Sequence, residues 1–201
     1  MLMGEYAMDR IRTKQLASIA DIQVGYQARS GIQNESDGTY RLIQGKDFDS
    51  SHNLKIDNIK RFNPERIPQI YSVIKGDILF QARGLEHFAY CLTDSLENTV
   101  AAGTFYIIRV KNNNVLPRYL AWWINQVPAR SYLQSQAGET SISYVSKFTI
   151  SKLTVKIPPI EVQANIVKVM ALWQCEKELH DQYENLKDRM INKICLKSFE
   201  E

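Results

Sequence analysis

The 201-residue chain contains no run of 18 apolar residues, which excludes a membrane-spanning helix of the ordinary kind. Its first residues, Met1-Leu2-Met3-Gly4-Glu5, lack the apolar core of a secretory leader. Cysteine is scarce: Cys91, Cys175 and Cys195 are odd in number and far apart. That excludes a disulfide framework and fits free thiols in a reducing cytosol. A strong excess of one charge is also missing, since the net charge is only +3. The imbalance is uneven, however. Residues 1–157 carry 19 Lys/Arg against 14 Asp/Glu, whereas residues 158–201 carry 6 against 8. The first part can face an anionic partner and the last part is not suited to one, but a bias this mild does not by itself argue nucleic-acid binding.

Catalytic signatures are missing as well. There is no G-x-x-x-x-G-K-[ST]: the nearest string, from Gly38 to Gly45-Lys46-Asp47, has the wrong spacing and ends in a carboxylate. No G-x-G-x-x-G and no G-x-S-x-G occurs, so there is neither a dinucleotide fingerprint nor a nucleophile elbow. Asn63-Pro64 is followed by Glu65-Arg66 rather than by the Pro-aromatic pair an amino-methyltransferase uses to hold an adenine. No E-x-K tripeptide suggests a metal-dependent nuclease centre. His87 with Cys91, and Cys175 with His180, have metal-like spacing, but neither pair has a second pair to complete a site. Neither a catalytic residue nor a metal ligand is assigned, and a binding module becomes the default.

What is present falls into two regimes. Residues 12–157 are rich in β-branched and aromatic residues. The spacing predicts strands at Tyr40–Gln44, Asp77–Gln81, Phe105–Val110 and Leu153–Ile157, punctuated by Gly45, Gly76, Gly84 and Gly103. Leu116–Gln136 reads as helix, with Pro117 in its first turn and Pro128 bending or restarting it. This first part, residues 1–157, is a mixed α+β domain. Pro158-Pro159 then breaks the pattern, and from Ile160 to about Phe199 there is neither Gly nor Pro. Ile166, Val169, Met170, Trp173, Leu179, Tyr183, Leu186, Met190 and Ile194 step by threes and fours, with a gap near Glu176. Residues 158–201 therefore read as a long helix of roughly 55 Å. A domain of this size has a radius of gyration of ~15 Å, so part of that apolar stripe calls for a partner helix unless the helix folds back or breaks near Glu176.

Several strings, in order, resemble the specificity (S) subunit of type I restriction-modification systems. Leu16–Gly25 (LASIADIQVG) looks like its opening strand-and-glycine segment, and Tyr40–Asp47 (YRLIQGKD) like its strand followed by a charged turn. Lys75–Phe80 (KGDILF) with Arg83-Gly84 resembles the G-D-[IL]-L…R-G segment, and Leu116–Ile124 (LPRYLAWWI) the L-P-x-Y-L helix. Leu153–Val167 (LTVKIPPIEVQANIV) is similar to the family's entry into a long helix. The family's adjacent Glu-Gln is spread here over Glu161-Val162-Gln163, and its apolar-Ser-Arg-x-Gly string is replaced by Phe80-Gln81-Ala82-Arg83-Gly84. The usual member has two target-recognition domains and two long helices. This chain resembles half of one, either a natural half-length protein or a piece of a longer one.

The resemblance implies a non-catalytic subunit of bacterial or archaeal cytoplasm. Its globular target-recognition domain would read half of a split double-stranded DNA target. Its long helix would pair as an antiparallel coiled coil in a homodimer, or with another half-subunit, and dock methyltransferase (M) subunits. A restriction (R) subunit is an optional further partner. S-adenosylmethionine, ATP and Mg are expected only on those partners, and no membrane is involved. Base reading needs paired donors or acceptors. Candidates are Tyr26, Gln27 and Arg29 in one loop, and Arg83 and His87 in another, with Arg29 and Arg83 foremost. Lys46, Lys60, Arg61 and Lys111 are candidate phosphate contacts, which position without specifying. The expected pairing face is Ile166, Val169, Trp173, Leu179, Tyr183, Leu186, Met190 and Ile194. Two other readings stand beside this one. In one, a structural adaptor recruits a partner through the helix without reading DNA. In the other, an enzyme has unfamiliar chemistry around His87, Cys91 and Glu86.

Overall fold

In the computed structural model, which describes residues 11–28, 34–64, 69–136, 143–197 and 199, short strands prevail up to residue 110 and helices beyond it. In chain order the elements begin with β1 (Arg12–Gln15), α1 (Leu16–Ile19), β2 (Ala20–Val24), β3 (Tyr40–Ile43) and β4 (Lys60–Phe62). They continue with β5 (Ile78–Gln81), β6 (Arg83–Gly84), β7 (Ala89–Cys91), β8 (Thr99–Ala101) and β9 (Phe105–Val110). The last are α2 (Pro117–Ile124), α3 (Val127–Gln136), β10 (Ser143–Tyr144), α4 (Lys147–Ser151), β11 (Thr154–Ile157) and α5 (Ile160–Lys197). The chain divides into two compact units, Met1–Gln163 and Ala164–Glu201.

In the first unit β9 is the axis of an antiparallel sheet of order β2-β9-β5-β7. Its first four residues, Phe105 to Ile108, are apolar and buried, so both faces of the strand are covered. Strand alternation sends Phe105, Ile107 and Leu79 to one face, where they meet Ile43 and Ala101 in a shared core. Ile43 and Ala101 end β3 and β8 of a second sheet, of order β4-β3-β8, in which β3 and β8 run parallel. The alternate residues of β5 and β9 face the other way, and α2 packs over β5 and β7 there, burying Tyr119, Leu120 and Ile124.

Local chemistry explains where elements start and stop. Pro117 occupies the first turn of α2, where a missing N–H costs nothing. At its end the Asn125 amide accepts from the Ala89 N–H and donates to the Ala89 C=O, both at 2.8 Å, fastening the helix to β7. The single helix expected over Leu116–Gln136 is thus two, parted at Asn125-Gln126, with Pro128 in the first turn of α3. Gly25 follows β2 because a Cβ there would lie 2.2 Å from the Ala102 carbonyl oxygen. Asp77, 1% exposed, is neutralised by a forked bond from Arg109 Nε and Nη2, each 2.7 Å, and it also accepts from the Ile74 N–H at 2.9 Å.

β1 pairs antiparallel with β11, which brings residue 12 against residue 157. Past the two prolines, Gln163 is fully buried and saturated. Its Oε1 accepts from the Leu116 N–H at 2.9 Å, and its Nε2 donates to the Asn114 and Pro158 carbonyls, each at 2.9 Å. From Ile160 the helix α5 continues without interruption for 38 residues, about 57 Å. It does not break near Glu176. In the second unit Val169, Leu172, Trp173, Leu179, Tyr183, Leu186 and Met190 are all exposed.

Candidate nucleic-acid interface

An open cleft of about 550 Å³ lies where β2 and β3 end and β6 begins; Tyr26, Gln27, Gln44, Arg83, Thr104 and Tyr144 are among its lining residues. The strands fix these positions by backbone bonds. Tyr26 N–H donates to the Ala101 carbonyl at 2.7 Å, and Arg83 N–H to the Thr104 carbonyl at 3.2 Å. Gln81 braces the arrangement from beneath: its Nε2 donates to the Arg83 carbonyl at 2.9 Å. A Cβ at Gly45 or Gly84 would lie 2.7 or 2.8 Å from that same Nε2. The two glycines therefore make room for the Gln81 amide between β3 and β6.

Arg83 is exposed, and its guanidinium carbon stands 5.4 Å from the centroid of the Tyr144 ring. The two residues face each other across the β6–β10 pair. Tyr144 OH meets Tyr106 OH at 2.9 Å, and Tyr106 OH donates to the Val145 carbonyl at 3.0 Å. Burial, with Tyr144 close by, pushes the Tyr106 hydroxyl well above the usual tyrosine range, so it stays a neutral donor. The result is a cation held over an aromatic face with its N–H fork open to solvent, a geometry suited to bidentate acceptors such as a guanine edge or a phosphate.

The other candidates are placed unequally. Gln27 is exposed on the cleft wall, and Arg29 lies outside the described residues. Tyr26 is only 4% exposed and packs against Phe62 and Tyr71, so it supports the cleft rather than offering a reading ring. Lys46 is exposed on the turn after β3, and Lys60 sits opposite Leu42 in the β3–β4 ladder; both lower the pKa of the nearby buried Asp47. Burial outweighs both lysines and the bond from the Gln44 N–H, and raises the Asp47 pKa from its ordinary value. Arg61 is exposed and directs one N–H to the Gly38 carbonyl at 3.5 Å.

Neither Lys111, a candidate phosphate contact, nor His87, a candidate reader, lines this cleft. Lys111 follows β9 at the Ala20 end of the β2–β9 ladder, away from the Val24 end that lines the cleft. Its Nζ is held by the Ala17 carbonyl at 3.0 Å and by Asp21 at 3.2 Å. His87 spends both nitrogens internally. Nδ1 is 2.9 Å from the Gln81 carbonyl and so carries the proton; Nε2 then accepts from the Ser143 hydroxyl at 2.6 Å. The imidazole thus ties the β6 turn to β10. The enzyme reading around His87, Cys91 and Glu86 loses its geometry too. Glu86 pairs with His52 at 3.1 Å, and burial pushes the Cys91 thiol up to about 11. Among the described residues no group of three or more His, Cys, Asp or Glu could hold a metal ion. No described helix is long and apolar enough to cross a membrane.

Sequence reasoning missed Tyr144, Gln44 and Thr104. Tyr144 lies in the short mixed run Ile142-Ser143-Tyr144-Val145, and its partnership with Arg83 depends on a two-residue strand pair that no periodicity announces.

A family model described as the type I restriction modification DNA specificity domain matches residues 8–185. No curated protein matches. Among solved structures, the type I restriction-modification S subunit from M. genitalium aligns with a TM-score of 0.60 at 10% identity, covering 87% of this chain and 41% of that one. The HsdS subunit from Thermoanaerobacter tengcongensis aligns with a TM-score of 0.56 at 19% identity, covering 83% and 38%. This chain therefore spans about two fifths of the length of those proteins. At such identities the likeness is one of fold.

Proposed function

The chain belongs to the family of type I restriction-modification DNA specificity domains, and from that premise we propose that its first unit reads half of an interrupted duplex target. Its helix would pair with another such helix and help to dock methyltransferase subunits. The observation that carries the reading is Arg83, an exposed guanidinium aligned over Tyr144 at the mouth of a cleft braced from both sheets. Such a group can bond the O6 and N7 of guanine in the major groove, with Gln27 alongside as an amide reader. Lys46, Lys60 and Arg61, on or beside β3 and β4, would contact phosphates. Lys111, already held by Ala17 and Asp21, has no part in this.

Chemistry belongs to the partners in this reading. S-adenosylmethionine would be carried by methyltransferase subunits, and ATP and Mg by a restriction subunit where one joins. With a net charge of only +3, the chain alone would bind duplex weakly, and the methyltransferases would add phosphate contacts. Two readers held apart by paired helices leave an uncontacted spacer, so a homodimer would favour an interrupted palindrome. The test is the light-scattering mass of the chain alone and with its neighbouring methyltransferase, each with and without duplex DNA at two salt concentrations. A dimer that takes up methyltransferase and then binds duplex in a salt-sensitive way supports the proposal. Uptake of methyltransferase with no duplex binding would move the chain to the adaptor reading.

A further inference from the structure

The exposed face of α5 carries more order than an apolar stripe. Val169, Leu172, Glu176, Leu179, Tyr183, Leu186, Met190 and Lys193 alternate spacings of three and four without a slip. This is a heptad seam, and all eight side chains are exposed. Two of its positions are charged, Glu176 and Lys193, and they are of opposite sign. A charged residue in such a seam fixes which pairing is tolerated, because opposite an apolar or like-charged residue it is desolvated without compensation. The seam therefore encodes a register.

The possible pairings of two copies can be compared directly. In a parallel, in-register pair, Glu176 meets Glu176 and Lys193 meets Lys193. In an antiparallel pair whose twofold axis crosses at Asp181, Glu176 meets Leu186 and Lys193 meets Val169. With the axis at Asp188, Lys193 meets Tyr183. With the axis between Glu184 and Asn185, Glu176 meets Lys193 twice, Leu179 meets Met190, and Tyr183 meets Leu186. The flanking positions then sort themselves as well. Trp173 comes beside Ile194 and Cys175 beside Leu196, while His180, Gln182, Lys187 and Arg189 are left among polar neighbours. Of these four pairings, only the last places the two charges together and keeps the apolar flanks together.

Building on the helix pairing put forward above, we propose that α5 binds a second copy of itself antiparallel about an axis between Glu184 and Asn185, with Glu176 against the partner's Lys193. The paired stretch runs from Leu172 to Lys197, about 39 Å; its two end layers set Leu172 against Lys197, where the lysine stem can cover the leucine and its ammonium can reach solvent at the helix end. Ile166 and Val169 lie outside it.

The test exchanges the charges and measures self-association of the full chain by sedimentation. Glu176→Lys and Lys193→Glu should each weaken dimerisation by about 100-fold, since each places like charges in two layers. The double variant should recover it, and an equimolar mixture of the two single variants should form heterodimers. Both sites are exposed, so circular dichroism of the monomeric variants should be unchanged apart from α5. For direct register, Leu196→Cys is combined with Cys195→Ser and Cys91→Ser and treated with a short bismaleimide. Peptide mapping should join Cys175 of one copy to residue 196 of the other. A dimer indifferent to the charge changes, or one cross-linked 175 to 175, overturns the register while leaving the family reading intact. A chain that stays monomeric overturns the second copy as occupant. Failure of the family reading is separate: duplex and methyltransferase would go unbound whatever the self-association.

Discussion

Replacing Gln163 with Leu should destabilise the first unit by about 3 kcal/mol or more. The side chain is fully buried and makes three hydrogen bonds of 2.9 Å, to the Leu116 N–H and to the Asn114 and Pro158 carbonyls. Leu fills a similar volume, so packing changes little, but all three backbone groups lose their partner. A buried polar group left unpaired costs about 1–3 kcal/mol, and the bond to Pro158 is the most enclosed of the three. Counting the N–H and one carbonyl at about 1.5 kcal/mol each gives about 3 kcal/mol, or roughly 6–12 °C in Tm for a domain of this size. Gln163→Asn should fall between, since its shorter arm cannot reach all three groups. Gln163→Glu should be worse than Leu at neutral pH, because it loses both donors and buries a charge. Calorimetry of the three variants gives the order directly. A Gln163→Leu protein melting within 1–2 °C of the parent would refute the reasoning, because it would mean that water replaces the network at no cost.

Three further outcomes follow from the same geometry. Arg83→Ala should weaken specific duplex binding by about 1–3 kcal/mol and relax preference at one base pair, whereas Lys111→Ala should change neither, as titrations against specific and scrambled duplexes would reveal. Burial raises Asp47 above its unfolded value, so the stability held with Asp47 protonated is full below about pH 3.8 and is lost as pH rises through the folded pKa. Asp47→Asn should therefore raise Tm at pH 7 relative to the parent, with the difference shrinking towards pH 3.5; an unchanged difference across that range would count against it. Cys175 and Cys195 are exposed and should react with a thiol reagent at pH 8, while Cys91, pushed up to about 11, should react only on unfolding.

The parts of the fold legible in the sequence are those with a period. Phe105–Val110 was expected and observed with the same bounds, because four consecutive apolar residues between turn signals mark a central strand. The long helix was equally plain, since nothing from Ile160 onward interrupts it. The strands β4, β6, β7, β8 and β10 have two or three residues each, too short to show an alternation, and exist because neighbours pair with them. The helix expected at Leu116–Gln136 showed its bend at Pro128, but the break comes at Asn125, where a side-chain amide prefers β7 to another helical turn. For the site, residue type singled out Arg83 as a candidate base reader, and the structure leaves it exposed on the cleft wall. Residue type could not tell that His87 and Lys111 would be consumed by Ser143, Gln81, Ala17 and Asp21, because those bonds join residues up to 94 positions apart. On the helix, Leu172 and Trp173 are neighbours that both fit a spacing of threes and fours, so spacing alone does not tell the seam from its flank.

The central claim is that this chain chooses a DNA sequence. The most direct measurement is selection from a random duplex library by the chain assembled with its methyltransferase partner, followed by sequencing of the bound pool. The account predicts enrichment of an interrupted palindrome, with at least one fixed position lost in the Arg83→Ala protein. A pool that binds in a salt-sensitive way yet shows no fixed bases would contradict it.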